Sequence, residues 1–283
     1  MSRGFVIQAQ TEAERRRAVA LAFSLKTSNP ECQTTLVCGD LAEIEEWHEE
    51  PFDSIIEYPF QNKIMPRNND WQLWWVTPYE ETIVIDESCI VSVNLDLMWD
   101  YLSSRYDLCF PDTIQDFRQR DVIKDVRYEF LNEYKLLPVY SAWFFFKKNE
   151  TTMDYFKLAD PYMQQYIDLY KDKFDPQHVP DNYDPNIMHS ILVNDMALEN
   201  VTDKNVSYID MDIVSKYFDN KIKIWTDYLN VWARENGTVK IQNYATSGIL
   251  YYKEPDFLTD EIFNGQRNSY RVQTKILREV QQQ

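Results

Sequence analysis

Up to Phe110 the chain alternates short apolar runs with amphipathic ones, and this rhythm restricts the fold more than any other feature of the sequence. Gly4–Ala9 reads as a buried strand. Thr11 and Glu14 have the spacing of a capping box, and the helix they open carries Ala18, Leu21, Ala22 and Leu25 on one face. Asn29-Pro30 ends it. Thr34–Cys38 and Ser54–Glu57 read as further strands, and Asn69–Val76 as a helix that stops before Thr77-Pro78. Thr82–Ile85 is a fourth strand and ends in Asp86-Glu87-Ser88. Ile90-Val91 follows, Asn94 caps a helix through Leu102, and Asp107–Phe110 is a fifth strand. Strands separated by helices predict an α/β fold with a mostly parallel sheet flanked by helices on both faces. Ligands of such sheets bind at the carboxyl ends of the strands, which makes Asp86 the first candidate for chemistry.

The second half is less regular. Thr113–Tyr134 is charged and mixed, read as helix and loop, and Val139–Phe146 is an apolar strand. Thr151–Phe174 has the pattern of a long helix interrupted near Asp160-Pro161. A Pro- and Asp-rich loop leads to a helix over Pro185–Met196 with Ile187, Met188, Ile191 and Leu192 on its apolar face. Val206–Ile209 reads as a strand, Trp225–Trp232 as helix, Val239–Tyr252 as two short strands and Arg271–Gln283 as a polar surface helix. With no repeat and no long low-complexity linker, the expectation is one domain over 1–283. Its 1–112 half would bind a nucleotide-sugar and its 113–270 half would face the acceptor, ahead of the polar tail 271–283.

Composition narrows the function. Neither GxGxxG nor GxxxxGK[ST] occurs among only 5 glycines, which argues against simple Rossmann and P-loop nucleotide sites. The net charge of -17 repels nucleic acid and anionic membrane at long range, so any nucleic-acid contact needs a local basic patch. Arg118-Gln119-Arg120 through Lys124 and Arg127 is the best candidate, with a solvated helix face as its plain alternative. Cys32, Cys38, Cys89 and Cys109 form no CxxC and read as buried free thiols, in keeping with a reducing cytoplasm. No transmembrane run is present in the sequence.

The stretch Pro78-Tyr79-Glu80-Glu81-Thr82-Ile83-Val84-Ile85-Asp86-Glu87-Ser88 resembles the Pro-Tyr-x-x-Thr-hydrophobic-Asp-x-Asp segment of GT-A-fold glycosyltransferases. It is most similar to phage-encoded members distantly related to glycogenin-like and family-eight enzymes. Other blocks follow in the same order. They are Ala20–Lys26 with Asn29-Pro30, Tyr140–Lys147, Ile241–Tyr244, Gly248–Tyr252 and Asp256–Asp260. The resemblance implies a GT-A-like, nucleotide-diphospho-sugar transferase fold and a nucleotide-sugar donor such as a UDP-sugar. It also implies an Asp-x-Asp that holds the ribose and a divalent cation, Mn²⁺ or Mg²⁺. A departing diphosphate gains negative charge, which a hard cation or a basic cluster must offset.

The sequence departs from that pattern at two ligand positions. Ser88 stands where the last Asp is expected, and Tyr251 where a metal-side His is expected. On a straight strand residues 86 and 88 share a face and Glu87 points away, so Glu87 replaces the missing carboxylate only if the chain bends. The expectation is a weak metal site at Asp86, or none, with Lys253, Arg67 or Lys63 neutralising the diphosphate. Gln10 and Thr11 at the first strand–helix turn, together with Arg67, Trp71, Asp86, Glu87, Ser88 and Lys253, are the donor-binding candidates. Tyr140, Ser141 and Ala142 are candidates for the acceptor side, and Asp184, with Asp181 nearby, for a carboxylate base or sugar-hydroxyl contact. Trp74 and Trp75 read as core, His189 as a satisfied histidine, and Arg15-Arg16-Arg17 as a solvated helix face, with a phosphate contact as the alternative.

These readings point to sugar transfer onto a hydroxyl. A hydroxymethylated base of phage DNA is one acceptor; it would be flipped out or exposed in the groove, with the aromatics near Tyr140 and Trp143 to support it. A glycan or protein hydroxyl is the other. The rivals are a binding or structural protein on a degenerate glycosyltransferase fold, favoured by Ser88 and Tyr251, and a nucleotidyltransferase, which lacks its Gly-rich start.

Overall fold

The structure is a computed structural model that describes residues 2–66, 69–122, 131–211, 229–234 and 236–281. Its strands are β1 (Arg3–Gln8), β2 (Thr34–Cys38), β3 (Ser54–Glu57), β4 (Glu81–Ile85), β5 (Cys89–Val91), β6 (Leu108–Gln115), β7 (Trp143–Lys147), β8 (Thr202–Asp210), β9 (Val231–Ala233), β10 (Val239–Ile241), β11 (Tyr244–Ala245) and β12 (Ile249–Tyr251). Nine of them form one sheet in the order β3-β2-β1-β4-β7-β6-β8-β12-β5, and β11-β10-β9 form a small second sheet. In the large sheet only β7 and β5 run against the rest. The mostly parallel α/β sheet expected from the sequence is present.

Strands buried on both faces need continuous apolar runs, and every residue of β2 and β4 is buried. Alternate side chains serve two cores. Val6, Val84, Phe144 and Phe146 pack under the helices Glu150–Gln164 and Pro185–Asp195. Phe5, Ile7, Ile83, Ile85 and Phe145 pack under the helices Glu12–Ser28 and Asp96–Ser103. The Thr11–Glu14 capping box is formed, and Asn29 closes the same helix with its N–H on the Leu25 carbonyl. The long helix Asp260–Gln281 lies against it through Phe23, whose ring meets Phe263 at 6.2 Å and Tyr270 at 5.1 Å. Gly4 allows one close approach: a Cβ there would overlap the Tyr79 ring, whose hydroxyl bonds Thr35 Oγ1 at 2.8 Å.

Several local expectations are corrected. The apolar strand starts at Trp143 rather than Val139 and is inserted antiparallel between β4 and β6. The fifth strand runs on past Phe110 to Gln115, into the segment read as helix and loop. The helix after Asn149 passes through Pro161 and breaks at Gln165, whose φ of -119° and ψ of 30° are not helical. Val231 and Trp232 belong to a strand, paired with β10, where helix was expected; residues 225–228 of that segment lie outside the described ones. Val239–Tyr252 holds three strands, because Gln242 turns the chain with a φ of 55°. The expected tail helix is the end of a helix that begins at Asp260. Among the described residues no helix is long and apolar enough to cross a membrane.

Candidate active site

The carboxyl ends of β1, β4, β8 and β12 converge on a cleft of about 450 Å³. Because β7 runs the other way, its beginning reaches the same rim, where Ser141 and Ala142 line the cleft. Gln10, Asp86, Glu87, Ser88, Asp184 and Lys253 are brought together there as well. Thr11, Trp71 and Tyr140 are not in the lining. Thr11 is spent on the helix cap. Trp71 is in the core, stacked on Phe60 at 5.2 Å. Tyr140 is buried edge-on to Tyr208, and Trp143 is fully buried, so neither offers an open face to a flipped base. Lys63 is tied to Asp160 at 2.7 Å outside the cleft. Arg67, Lys124 and Arg127 lie outside the described residues.

β4 ends at Ile85, and the next three residues form a turn instead of extending the strand. Asp86 Oδ1 accepts the Ser88 N–H at 2.8 Å, an Asx-type turn, and Asp86 N–H bonds the Ala142 carbonyl at 2.9 Å. The bend brings Glu87 into the cleft beside Asp86, correcting the expectation that it points away. Glu87 Oε1 meets Arg17 Nη2 at 2.8 Å. Arg15, Arg16 and Arg17 are therefore not a solvated face. Arg15 is buried against Glu43 and the Gln10 carbonyl, Arg16 pairs with Asp260, and Arg17 lines the cleft. Arg17 Nε is buried and has no hydrogen-bond partner, which leaves a donor for a ligand.

Burial pushes the Asp86 carboxyl up. Burial, and then the charge of Asp86, pushes Glu87 up to about 8 against the pull of Arg17. Burial works against the charge of Arg17, but its interaction with Glu87 outweighs burial and raises the guanidinium above its usual value. Burial also raises the Tyr251 phenol, which faces Asp86 and Asp210. Lys253 follows at a φ of 43°, a left-handed conformation that costs a non-glycine residue of order 1 kcal/mol or more and is typical of ligand sites.

On the opposite wall Asp184 Oδ1 caps the helix Pro185–Asp195, accepting from Asn186 N at 2.9 Å and Ile187 N at 3.4 Å. Asn186 Oδ1 accepts from both the backbone N–H and the hydroxyl of Ser141, at 2.7 and 2.8 Å. Asp181 is exposed. The sequence does not single out Asp70 or Asp210, and it offers Arg17 as a phosphate contact only second to a solvated face. The signal available for Asp210 was its place at the end of an apolar strand, the same argument that singled out Asp86.

Asp86 is engaged by a backbone N–H and Glu87 by Arg17, while Ser88 and Tyr251 are neutral. Among the described residues no three His, Cys, Asp or Glu side chains converge to hold a metal.

No protein-family model matches the chain, and no match was found among curated proteins. Solved structures do resemble it. The glycosyltransferase GlyE of Streptococcus pneumoniae TIGR4 superposes with a TM-score of 0.58 at 12% identity over 99% of this chain. This chain spans 64% of the GlyE chain. The galactosyltransferase LgtC, solved in complex with donor and acceptor sugar analogues, superposes with a TM-score of 0.54 at 12% identity, over 96% of this chain and 95% of its own. At such identities the likeness establishes the fold, and the fold is GT-A-like.

Proposed function

We propose that this protein is a cytoplasmic glycosyltransferase that moves a sugar from a nucleotide-sugar, a UDP-sugar first among them, to a hydroxyl acceptor. The observation that carries the reading is the cleft at the strand ends of a GT-A-like sheet, where the turn Asp86–Ser88 and Lys253 line one cavity. The nucleoside would lie at the end of β1 near Gln10, with its ribose hydroxyls toward Asp86. Arg17, through its unpaired Nε, and Lys253 would meet the diphosphate. A Glu87 carboxyl raised to about 8 holds its proton at neutral pH and so removes one negative charge from the wall the donor faces. In transfer the bond from the anomeric carbon to the diphosphate oxygen breaks and one to the acceptor oxygen forms. The acceptor proton leaves to a carboxylate, for which Asp184 stands on the Ser141 side. A hydroxymethylated DNA base is one acceptor for this cleft, and a glycan or protein hydroxyl is the other.

Thermal shift and donor-hydrolysis assays with a panel of nucleotide-sugars, with Mn²⁺ and with EDTA, test this. UDP-sugars should raise the melting temperature in EDTA, and Asp86→Asn should abolish the shift. Tight binding seen only with Mn²⁺ would refute neutralisation of the diphosphate by Arg17 and Lys253 alone, and neither binding nor hydrolysis of any nucleotide-sugar would refute the whole. Binding with neither hydrolysis nor transfer would favour a degenerate binding protein, the reading that Ser88 and Tyr251 support.

A further inference from the structure

A chain of hydrogen bonds runs from the core to the cleft through five separate elements. His189 is fully buried on the helix Pro185–Asp195, near the rings of Phe110 at 5.0 Å and Phe144 at 5.5 Å. Its Nδ1 is 2.5 Å from the Tyr155 hydroxyl, and its Nε2 is 3.2 Å from Asp70 Oδ2. Asp70 Oδ1 accepts from Gln8 Nε2 at 2.5 Å, and Gln8 Oε1 accepts from the Tyr58 hydroxyl at 2.8 Å. Gln8, Tyr58 and Asp70 line the cleft; His189 and Tyr155 stand behind it.

With the imidazole neutral and Asp70 ionised, only one assignment of protons satisfies every link. An ionised carboxylate accepts and cannot donate, so Asp70 requires a proton on His189 Nε2 and the amide nitrogen of Gln8 on its other oxygen. A neutral imidazole protonated at Nε2 has a lone pair at Nδ1, which the Tyr155 O–H fills. Burial raises the Tyr155 and Tyr58 phenols well above their usual range, so both keep the protons they donate. Donors therefore converge on Asp70 from both sides. The opposite imidazole tautomer would set two lone pairs against each other at Nε2, and a flipped Gln8 would do the same at its oxygen.

We propose that His189 is a positioning residue for the cleft: locked by Tyr155 in its Nε2–H tautomer, it fixes Asp70 and, through Asp70, the orientation of Gln8. What the cleft then meets is a fixed acceptor, Asp70, beside a fixed donor, the second N–H of Gln8. Such a pair suits a ligand edge that carries an acceptor next to an N–H or O–H donor. The consequence for ligand binding rests on the donor-cleft reading above; the tautomer and its coupling to Gln8 do not.

The test is long-range ¹H–¹⁵N correlation of the imidazole nitrogens, with His189 distinguished from His48 and His178 by its absence in His189→Gln. At neutral pH, Nδ1 should be unprotonated and Nε2 protonated. Tyr155→Phe, which keeps the ring and removes the donor, should abolish that single-tautomer signature and shift the side-chain amide resonances of Gln8. It should also weaken UDP binding about tenfold, the equivalent of 1.4 kcal/mol. An Nδ1–H tautomer in the wild-type protein, or a ring protonated at both nitrogens, overturns the proposal. So does a folded Tyr155→Phe protein whose Gln8 amide and UDP affinity are unchanged, which would make His189 a core residue and nothing more. Should that variant not fold, the wild-type tautomer decides. A wild-type protein that binds no nucleotide refutes the donor reading, while the imidazole and amide signals still decide the relay.

Discussion

At one end of the cleft, Gln8, Asp70 and His189 form a network in which every linked donor meets an acceptor. At the other end, Asp86 and Glu87 sit side by side in the interior, both with raised pKa values, and one guanidinium opposes them. The first arrangement is stable as it stands and suits a scaffold. The second holds two buried carboxyl groups with raised pKa values and an unpaired Arg17 Nε, a donor that a ligand can use. A polar cluster that completes its own bonds holds a site in shape, whereas one that does not is where binding energy is to be gained.

The sharpest way to break this contrast is to remove Arg17. At pH 9, where wild-type Glu87 is ionised, Arg17→Met removes the charge that opposes the two buried carboxylates and should cost about 4 kcal/mol in denaturant unfolding. The loss should shrink at pH 6, where Glu87 takes a proton. An equal loss at both values would mean that Arg17 acts through packing alone.

Glu87→Gln isolates the same charge. The folded pKa of about 8 lies above the ordinary 4.5, so between those values the folded protein holds a proton that the unfolded chain has lost. Wild-type stability therefore falls as pH rises through this window and levels off above about 8. Relative to Glu87→Gln it should fall by about 2.5 kcal/mol between pH 6 and 8, at about 1.4 kcal/mol per unit. Parallel pH profiles for the two proteins would remove the proton from Glu87.

Asp70→Asn tests the satisfied end. It sets an amide N–H₂ against one of two donors, at a cost of about 1.5 kcal/mol. The cost should be the same at pH 7 and pH 9, unlike that of Arg17→Met. The smallest effect is expected for Thr11→Ala. It removes the cap of the helix that carries Arg17 and should cost about 1 kcal/mol, read as a lowered denaturation midpoint with an unchanged slope.

β1 to β4 and the first helix were legible in the sequence because their signals are local: contiguous apolar runs, a capping box within four residues, and Asn29 as a stop. The place of Asp86 followed from strand direction alone. What depends on partners far along the chain was not legible. Arg17 looks like a solvated arginine until Glu87, 70 residues on, is folded against it. His189 and Asp70 are 119 residues apart. The antiparallel insertion of β7 depends on which neighbours it pairs with, and its apolar residues carry no mark of direction. The bend after Ile85 depends on Asp86 capping the Ser88 N–H, a bond that competes with strand extension only where β4 has run out of partners.

The pairing of β5 with β12 has a consequence for how the chain is made. Cys89–Val91, directly after the Asp86 turn, pairs with Ile249–Tyr251, whereas β1 and β4 pair with each other soon after both emerge. During synthesis from the amino terminus, the strand leaving the turn has, among the described residues, no sheet partner until Tyr251 has appeared. Loops this long close slowly, and an unpaired apolar edge invites association with other chains. A stop or frameshift upstream of Ile249 would thus leave the Cys89–Val91 edge bare beside the Asp86 turn and yield an aggregation-prone chain.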